Sequence, residues 1–211
     1  MAENVPAIPL TRAEQQSRTR GALVASARRV FGRDGFNAAN LAAIAREAGV
    51  TKGAVYSNFD SKADLFLAVL DDDLATFDPE TWDPVAKFAY GLKLEGQSVR
   101  LPGLPAEIRE AVGFGLATLE FAVSAARDQE LSDAFSERLG LLRTGFEAIA
   151  RRGHRHEDPL SAEQLGSMLM AFDQGAAIHW LIGQMDIDAD TMREMMNRML
   201  RPTNEERADD G

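Results

Sequence analysis

Cysteine is absent from the 211 residues, which rules out disulfides, thiolate zinc sites and thiol nucleophiles. No run of 18 or more apolar residues occurs, so the sequence predicts no transmembrane helix. The first residues, MAENVPAIPL, carry neither the basic nor the apolar region of a secretory leader, and a cytoplasmic protein is the expectation. Strand-like runs of alternating β-branched residues are missing, so no sheet is expected. G-x-S-x-G, P-loop and G-x-G-x-x-G signatures are missing too, and the GFG at 113–115 is too short to stand for one. His154 and His156 lie beside Glu157 and Asp158 in GHRHEDP. That segment reads as a loop and lacks the helical i, i+4 spacing of a zinc motif. No metal site, no cofactor and no enzymatic chemistry is expected.

What is present is a hydrophobic content of 45%, enough for a core, and a net charge of -10. The charge is uneven. Residues 1–62 hold nine Lys/Arg against five Asp/Glu, a net of +4, and the remainder carries -14. A basic head on an acidic body can approach a polyanion while the body is turned away from it.

Apolar residues recur at three and four throughout, which predicts helices. Thr11 and Glu14 have the spacing of a capping box and open a helix over about Arg12–Arg33. Its stripe is Leu23, Ala27, Val30 and Phe31, and Gly35 is placed to end it. Asn40 caps a short helix over about Leu41–Ala48, closed by Gly49. Thr51 caps another over about Lys52–Asn58, with Val55 and Phe59 inward. Ser61 and Asp64 open a fourth. Helix, turn and short helix at this spacing make a helix-turn-helix, whose second helix enters the major groove of DNA. In that reading Gly53 lets backbone come close to the duplex. Thr51, Tyr56, Ser57 and Asn58 can bond phosphates, Lys52 can reach a base edge or a phosphate, and Lys62 adds charge, as does Arg20 on the first helix.

The stretch from Thr19 to Leu70, and within it IAREAGVTKGAVYSNFDSKADLF, resembles the N-terminal domain of the TetR family of bacterial transcriptional regulators. The resemblance implies phosphate contacts from Asn40, Thr51, Tyr56 and Lys62, and base or groove contacts from Lys52, Gly53 and Ser57. Asn40 stands where the family usually has Thr or Ser, and Asn58 where His or Tyr is frequent. The fold expected is all-α with about nine helices: a three-helix DNA-binding domain over 11–62, a helical effector-binding and dimerisation domain over 63–202, and tails at 1–10 and 203–211.

In the acidic part, helices are expected at about 80–95, 105–127, 130–152, 161–184 and 189–200, with Ser161 and Gln164 as a capping box. Loops are expected at Gly96–Pro105 and RRGHRHEDPL. Met168 to Trp180 is apolar nearly all round, the pattern of a helix covered on both sides. Seven of the eight Met residues lie in 168–199, adaptable filler for a core or an interface. The resemblance implies a homodimer through the last two helices and a small organic effector among the central ones. Phe114, Phe121, Phe172 and Trp180 are candidate walls of its site, and Glu120, Asp173 and His179 candidate polar anchors. Each also fits an ordinary core. The expected function is a repressor on an inverted-repeat operator, released by its effector. The alternative is an activator, or a DNA-binding dimer with no effector, governed by a protein partner or by abundance.

Overall fold

The computed structural model describes residues 11–82, 106–154, 159–181 and 189–200. Among them all regular structure is helical. The helices are α1 (Arg12–Ala38), α2 (Leu41–Glu47), α3 (Lys52–Tyr56), α4 (Lys62–Ala75), α5 (Ala106–Ala125), α6 (Gln129–Gly153), α7 (Ala162–Leu181) and α8 (Ala189–Leu200). The eight helices match the expected order. The helix expected at about 80–95, the loop Gly96–Pro105 and both tails lie outside the described residues.

The chain forms two compact units. One takes in the described residues up to Leu70 together with Arg109–Leu131; the other runs from Asp71 and resumes at Ser132. The unit that holds the helix-turn-helix therefore also holds the first two-thirds of α4, residues 62–70, and most of α5.

Helices α1 to α4 each start where a side chain accepts from a free N–H group. The Glu14 N–H donates to Thr11 Oγ1 at 3.2 Å and the Thr11 N–H to Glu14 Oε2 at 2.7 Å, a complete capping box. Asn40 Oδ1 accepts from the Ala43 N–H at 2.8 Å, Thr51 Oγ1 from Ala54 at 3.2 Å, and Ser61 Oγ from Asp64 at 3.0 Å. Gly35 breaks α1 with φ 78, a left-handed conformation that glycine adopts without steric cost, and the chain then makes one more turn to Ala38. Leu23, Ala27, Val30 and Phe31 are fully buried, as are Ile44, Val55, Leu65, Phe66 and Phe121. Phe66 sits among four rings, with centroids 5.0 Å from Phe31, 5.1 Å from Phe36, 5.3 Å from Phe114 and 4.7 Å from Phe121. Two ion pairs hold α1 to α2, Arg29 Nε to Glu47 Oε1 at 2.8 Å and Arg33 Nη1 to Glu47 Oε2 at 3.2 Å. Burial alone would raise the Glu47 carboxyl, but the hydrogen bonds from Arg29 and Arg33 outweigh it and hold the group below the usual glutamate range.

Helix α5 crosses α1 backbone to backbone. A Cβ on Gly32 would lie 2.8 Å from the Glu110 carbonyl oxygen, and one on Gly113 would overlap the Gly32 carbonyl. Only hydrogen at both positions permits this approach.

In the second unit, Phe146, Ile149, Ala150, Leu165, Leu169 and Met196 form the core, with Phe77, Trp82 and Phe172 packed on it. Phe146 lies 5.5 Å from Phe77 and 5.3 Å from Trp82 between centroids. The capping box at the start of α7 is complete, with Ser161 N–H to Gln164 Oε1 at 2.9 Å and Gln164 N–H to Ser161 Oγ at 3.2 Å. No described helix is long and apolar enough to cross a membrane.

The crossing gives a direct test. Gly113→Ala is expected to lower stability by about 1–3 kcal/mol, the usual cost of overpacking. Gly21→Ala, in a helix where a Cβ would meet nothing, is expected to raise it by about 1 kcal/mol. Urea denaturation of both variants checks the contrast; equal effects would place the helices further apart than described.

Candidate nucleic-acid interface

Helix α3 is only five residues long, Lys52–Tyr56, and its two sides have opposite character. Val55 is fully buried and Phe59 just beyond it is 1% exposed. Thr51, Lys52, Gly53, Tyr56 and Ser57 are all exposed. Tyr56 is 52% exposed, a large ring left in solvent, with the Lys52 ammonium 5.7 Å from its centroid. A Cβ on Gly53 would meet only Thr51 Oγ1, at 3.8 Å. Nothing in the fold requires a glycine there.

The other candidates of the head are engaged within the protein. Arg20 donates from Nη1 to the Asn58 carbonyl at 2.9 Å, and its guanidinium lies 4.2 Å from the Phe59 ring centroid, so it fastens α1 to the end of α3. Asn58 Nδ2 and Ser57 Oγ both donate to the Ala54 carbonyl, at 2.7 and 3.0 Å, closing the last turn. Asn58 is half-buried while Ser57 faces solvent. Asn40 and Thr51 use their side-chain oxygens as caps.

Lys62 has the most committed position. Its Nζ donates to the carbonyls of Phe36 at 2.7 Å, Asn37 at 3.0 Å and Ala39 at 3.1 Å, which accounts for all three ammonium protons. The same nitrogen lies 4.7 Å from the Phe36 ring centroid. Burial pushes the Lys62 ammonium below its ordinary pKa, and the negative charge of Glu120 partly opposes that. Glu120 itself accepts from the Asn37 N–H at 2.8 Å, and its Oε1 would meet any Cβ at Gly35 at 2.5 Å. The segment between α1 and α2 is thus held from one side by Lys62 and from the other by Glu120. Sequence reading gave no sign of this, because the partners are 83 residues apart.

The residues named as effector candidates fall in different units. Phe114, Glu120 and Phe121 belong to the unit of the helix-turn-helix, where Phe114 is 4% and Phe121 0% exposed and both rings pack on Phe66. Phe172, Asp173 and His179 belong to the second unit. Phe172 packs on its core, Asp173 is buried and His179 is exposed. The Trp180 side chain is outside the described residues.

Comparison with known proteins matches two stretches of the chain. A family profile described as bacterial regulatory proteins, tetR family, matches residues 23–69. A second, described as BetI-type transcriptional repressor, C-terminal, matches residues 108–203. The HTH-type transcriptional repressor BepR of Brucella suis is 30% identical over 190 residues, covering 84% of this chain and 87% of its own. Among solved structures, NalD of Pseudomonas aeruginosa, the secondary repressor of the MexAB-OprM multidrug efflux pump, aligns with a TM-score of 0.53 at 22% identity, covering 88% of this chain and 95% of that one. The FadR regulator of Bacillus subtilis, solved with stearoyl-CoA, aligns with a TM-score of 0.58 at 16% identity, covering 85% and 97%. At these identities the two structures speak for the fold.

Opposite effects on stability are expected at two positions of the site. Lys62→Met leaves three carbonyls without their donor and should destabilise by about 1–3 kcal/mol. Gly53→Ala should stabilise by about 1 kcal/mol, since alanine favours a helix and has room. Thermal unfolding of the two variants measures both; a stable Lys62→Met protein would show that the carbonyls find other donors.

Proposed function

Because the chain belongs to the TetR family of DNA-binding transcriptional regulators, we propose that it is a repressor that grips an inverted-repeat operator as a homodimer and is released by a small organic effector. The observation that carries the reading is the outward side of α3. Lys52, Gly53, Tyr56 and Ser57 are exposed together, and no packing need explains an exposed Tyr beside a Lys and a helix-weakening Gly. Lys52 can bond guanine O6/N7 or a phosphate, the Tyr56 hydroxyl a phosphate, and the bare backbone at Gly53 can press against the groove. Asn40 and Thr51, at the starts of α2 and α3, add hydrogen-bonding groups at the same turn. The sign of regulation is supported by BepR, a repressor, and by the repressor-type C-terminal match.

Dimerisation is supported by α7. Met168 is 51% and Ile178 38% exposed, and Ala171, also exposed, lies between them. With Gly175, where a Cβ would meet nothing, these residues follow at steps of three, four and three along one side of the helix. A two-fold axis would pair that side with itself and bury it. Two heads on successive major-groove turns would then sit about 34 Å apart on an inverted repeat. The effector reading draws on the FadR structure with stearoyl-CoA. An effector that favours a different separation of the heads, acting through α4, weakens DNA binding, and DNA weakens the effector by the same factor.

Selection from random duplexes is expected to enrich an inverted repeat. Its affinity should fall with salt by about 0.9 log units per log unit for each phosphate contact. Tyr56→Phe should weaken binding to every sequence alike, and Lys52→Ala should also relax base preference. Anisotropy titrations that leave both variants at wild-type affinity would remove α3 from the interface. Separately, Met168→Glu with Ile178→Glu should turn a particle of twice the chain mass into a monomer in sedimentation and lose operator affinity; an unchanged dimer would put the interface elsewhere.

A further inference from the structure

Helix α1 begins at Arg12, but its first buried residue is Leu23. No residue of this overhang, 12–22, is itself buried. A helix of that length is marginal in water, and here it is secured at its start by the Thr11–Glu14 box. Its length is about 16 Å at the α-helical rise.

The overhang has a definite direction. Stepping back by four and three from Leu23 and Ala27 along the buried stripe gives Thr19 and Arg20, then Gln16, then Arg12. The side of α1 that packs the core therefore continues as a line of hydrogen-bond donors. Arg20 fixes where that line points, because it bonds the Asn58 carbonyl and covers Phe59 at the end of α3. Beyond Arg20 the same side continues along the helix with Gln16 and Arg12 exposed. The one acid of the overhang, Glu14, is turned to the Thr11 N–H, and Arg12, Arg18 and Arg20 leave the segment positive.

We propose that Arg12 and Gln16 form a second DNA contact, a clamp on the sugar-phosphate backbone flanking the bases read by α3. The inference rests on the reading of α3 as the recognition helix. The occupant is duplex DNA because the line of donors runs on from the proposed interface and is cationic. Arg12 supplies the charge-assisted bond to a phosphate, and Gln16 a neutral donor one turn nearer to α3. Contacts of this kind carry no sequence information. They raise affinity for any duplex and keep a searching protein on DNA.

The test compares wild type, Arg12→Ala/Gln16→Ala, Arg12→Lys and Tyr56→Phe on two probes, the selected operator and an unrelated duplex, over a range of salt. The double variant is expected to bind both probes roughly tenfold to a hundredfold more weakly, by the same factor, as for loss of a charged hydrogen bond. Its salt slope should fall by about 0.9 per head, and Arg12→Lys should keep the wild-type slope. Thermal unfolding of the double variant should be unchanged, since neither residue is in the core. Wild-type affinity and slope in the double variant, with Tyr56→Phe still weakened, would overturn the clamp and leave the recognition helix standing. Loss on the operator alone would also overturn it, because it would make Arg12 or Gln16 a base reader. No effect from Tyr56→Phe either would remove both contacts together.

Discussion

The ring of Phe66 is the contact on which the DNA-reading part depends. It meets Phe31 from α1, Phe36 from the turn beyond Gly35, and Phe114 and Phe121 from α5. A helix-turn-helix of some fifty residues buries little surface by itself, and domains of that size are marginal. Here the missing surface comes from α5, more than forty residues further along the chain. Each aromatic pair adds about 0.5–1.5 kcal/mol beyond its burial, and four such pairs share one ring. The close crossing at Gly32 and Gly113 brings α5 near enough for its phenylalanines to reach Phe66. The glycines and the rings are thus two parts of one constraint.

The same arrangement sets the start of α2. Gly35 turns the chain out of α1, and the carbonyls of Phe36, Asn37 and Ala39 would otherwise end without donors. Lys62 takes all three, and Glu120 takes the Asn37 N–H. A cation against carbonyls at a helix end is favoured by the helix dipole as well as by the hydrogen bonds. The cost is a partly buried ammonium, which shows as the lowered pKa of Lys62, and the carboxylate of Glu120 offsets part of it. Lys62 is therefore a positioning residue whose charge is directed into the protein.

Local signals carried most of what the sequence made legible. All three caps of the head, the capping boxes at Thr11 and Ser161 and the break at Gly35 depend on residues within four positions of one another, and they were read correctly from spacing. Helix order followed for the same reason. The outward residues of α3 were legible because polarity on one side of a short helix is also a local pattern. Long-range partnership was not. The sequence reading gave Arg20 and Lys62 a contact with DNA because a basic residue near a helix-turn-helix looks the same whether it meets a phosphate or a carbonyl. It offered Phe114, Glu120 and Phe121 either to an effector site or to an ordinary core, because cores and cavities use the same rings. The fold packs Phe114 and Phe121 on Phe66 and sets Glu120 on the Asn37 N–H. No periodicity could have found the Gly32–Gly113 crossing either, since close approach leaves no mark beyond two glycines in helices that tolerate them poorly.

The division between residues the fold uses and residues it does not use is what separates structure from function here. Val55, Phe59 and Ile44 are explained by burial, Asn58 and Arg20 by the turn they close, Lys62 by the carbonyls it holds. Lys52, Gly53 and Tyr56 on α3, and Arg12 and Gln16 on the overhang of α1, have no such explanation. A glycine in a helix with room for a methyl group, a tyrosine half in water and a helix that runs past its core each cost stability or add none. These residues sit on two helices that Arg20 joins through the Asn58 carbonyl. That bond ties the two helices together at one point, and on the proposed reading their exposed donors belong to one surface. A surface of outward donors fits a polyanion whose phosphates are regularly spaced, and duplex DNA is that polyanion for a regulator of this family.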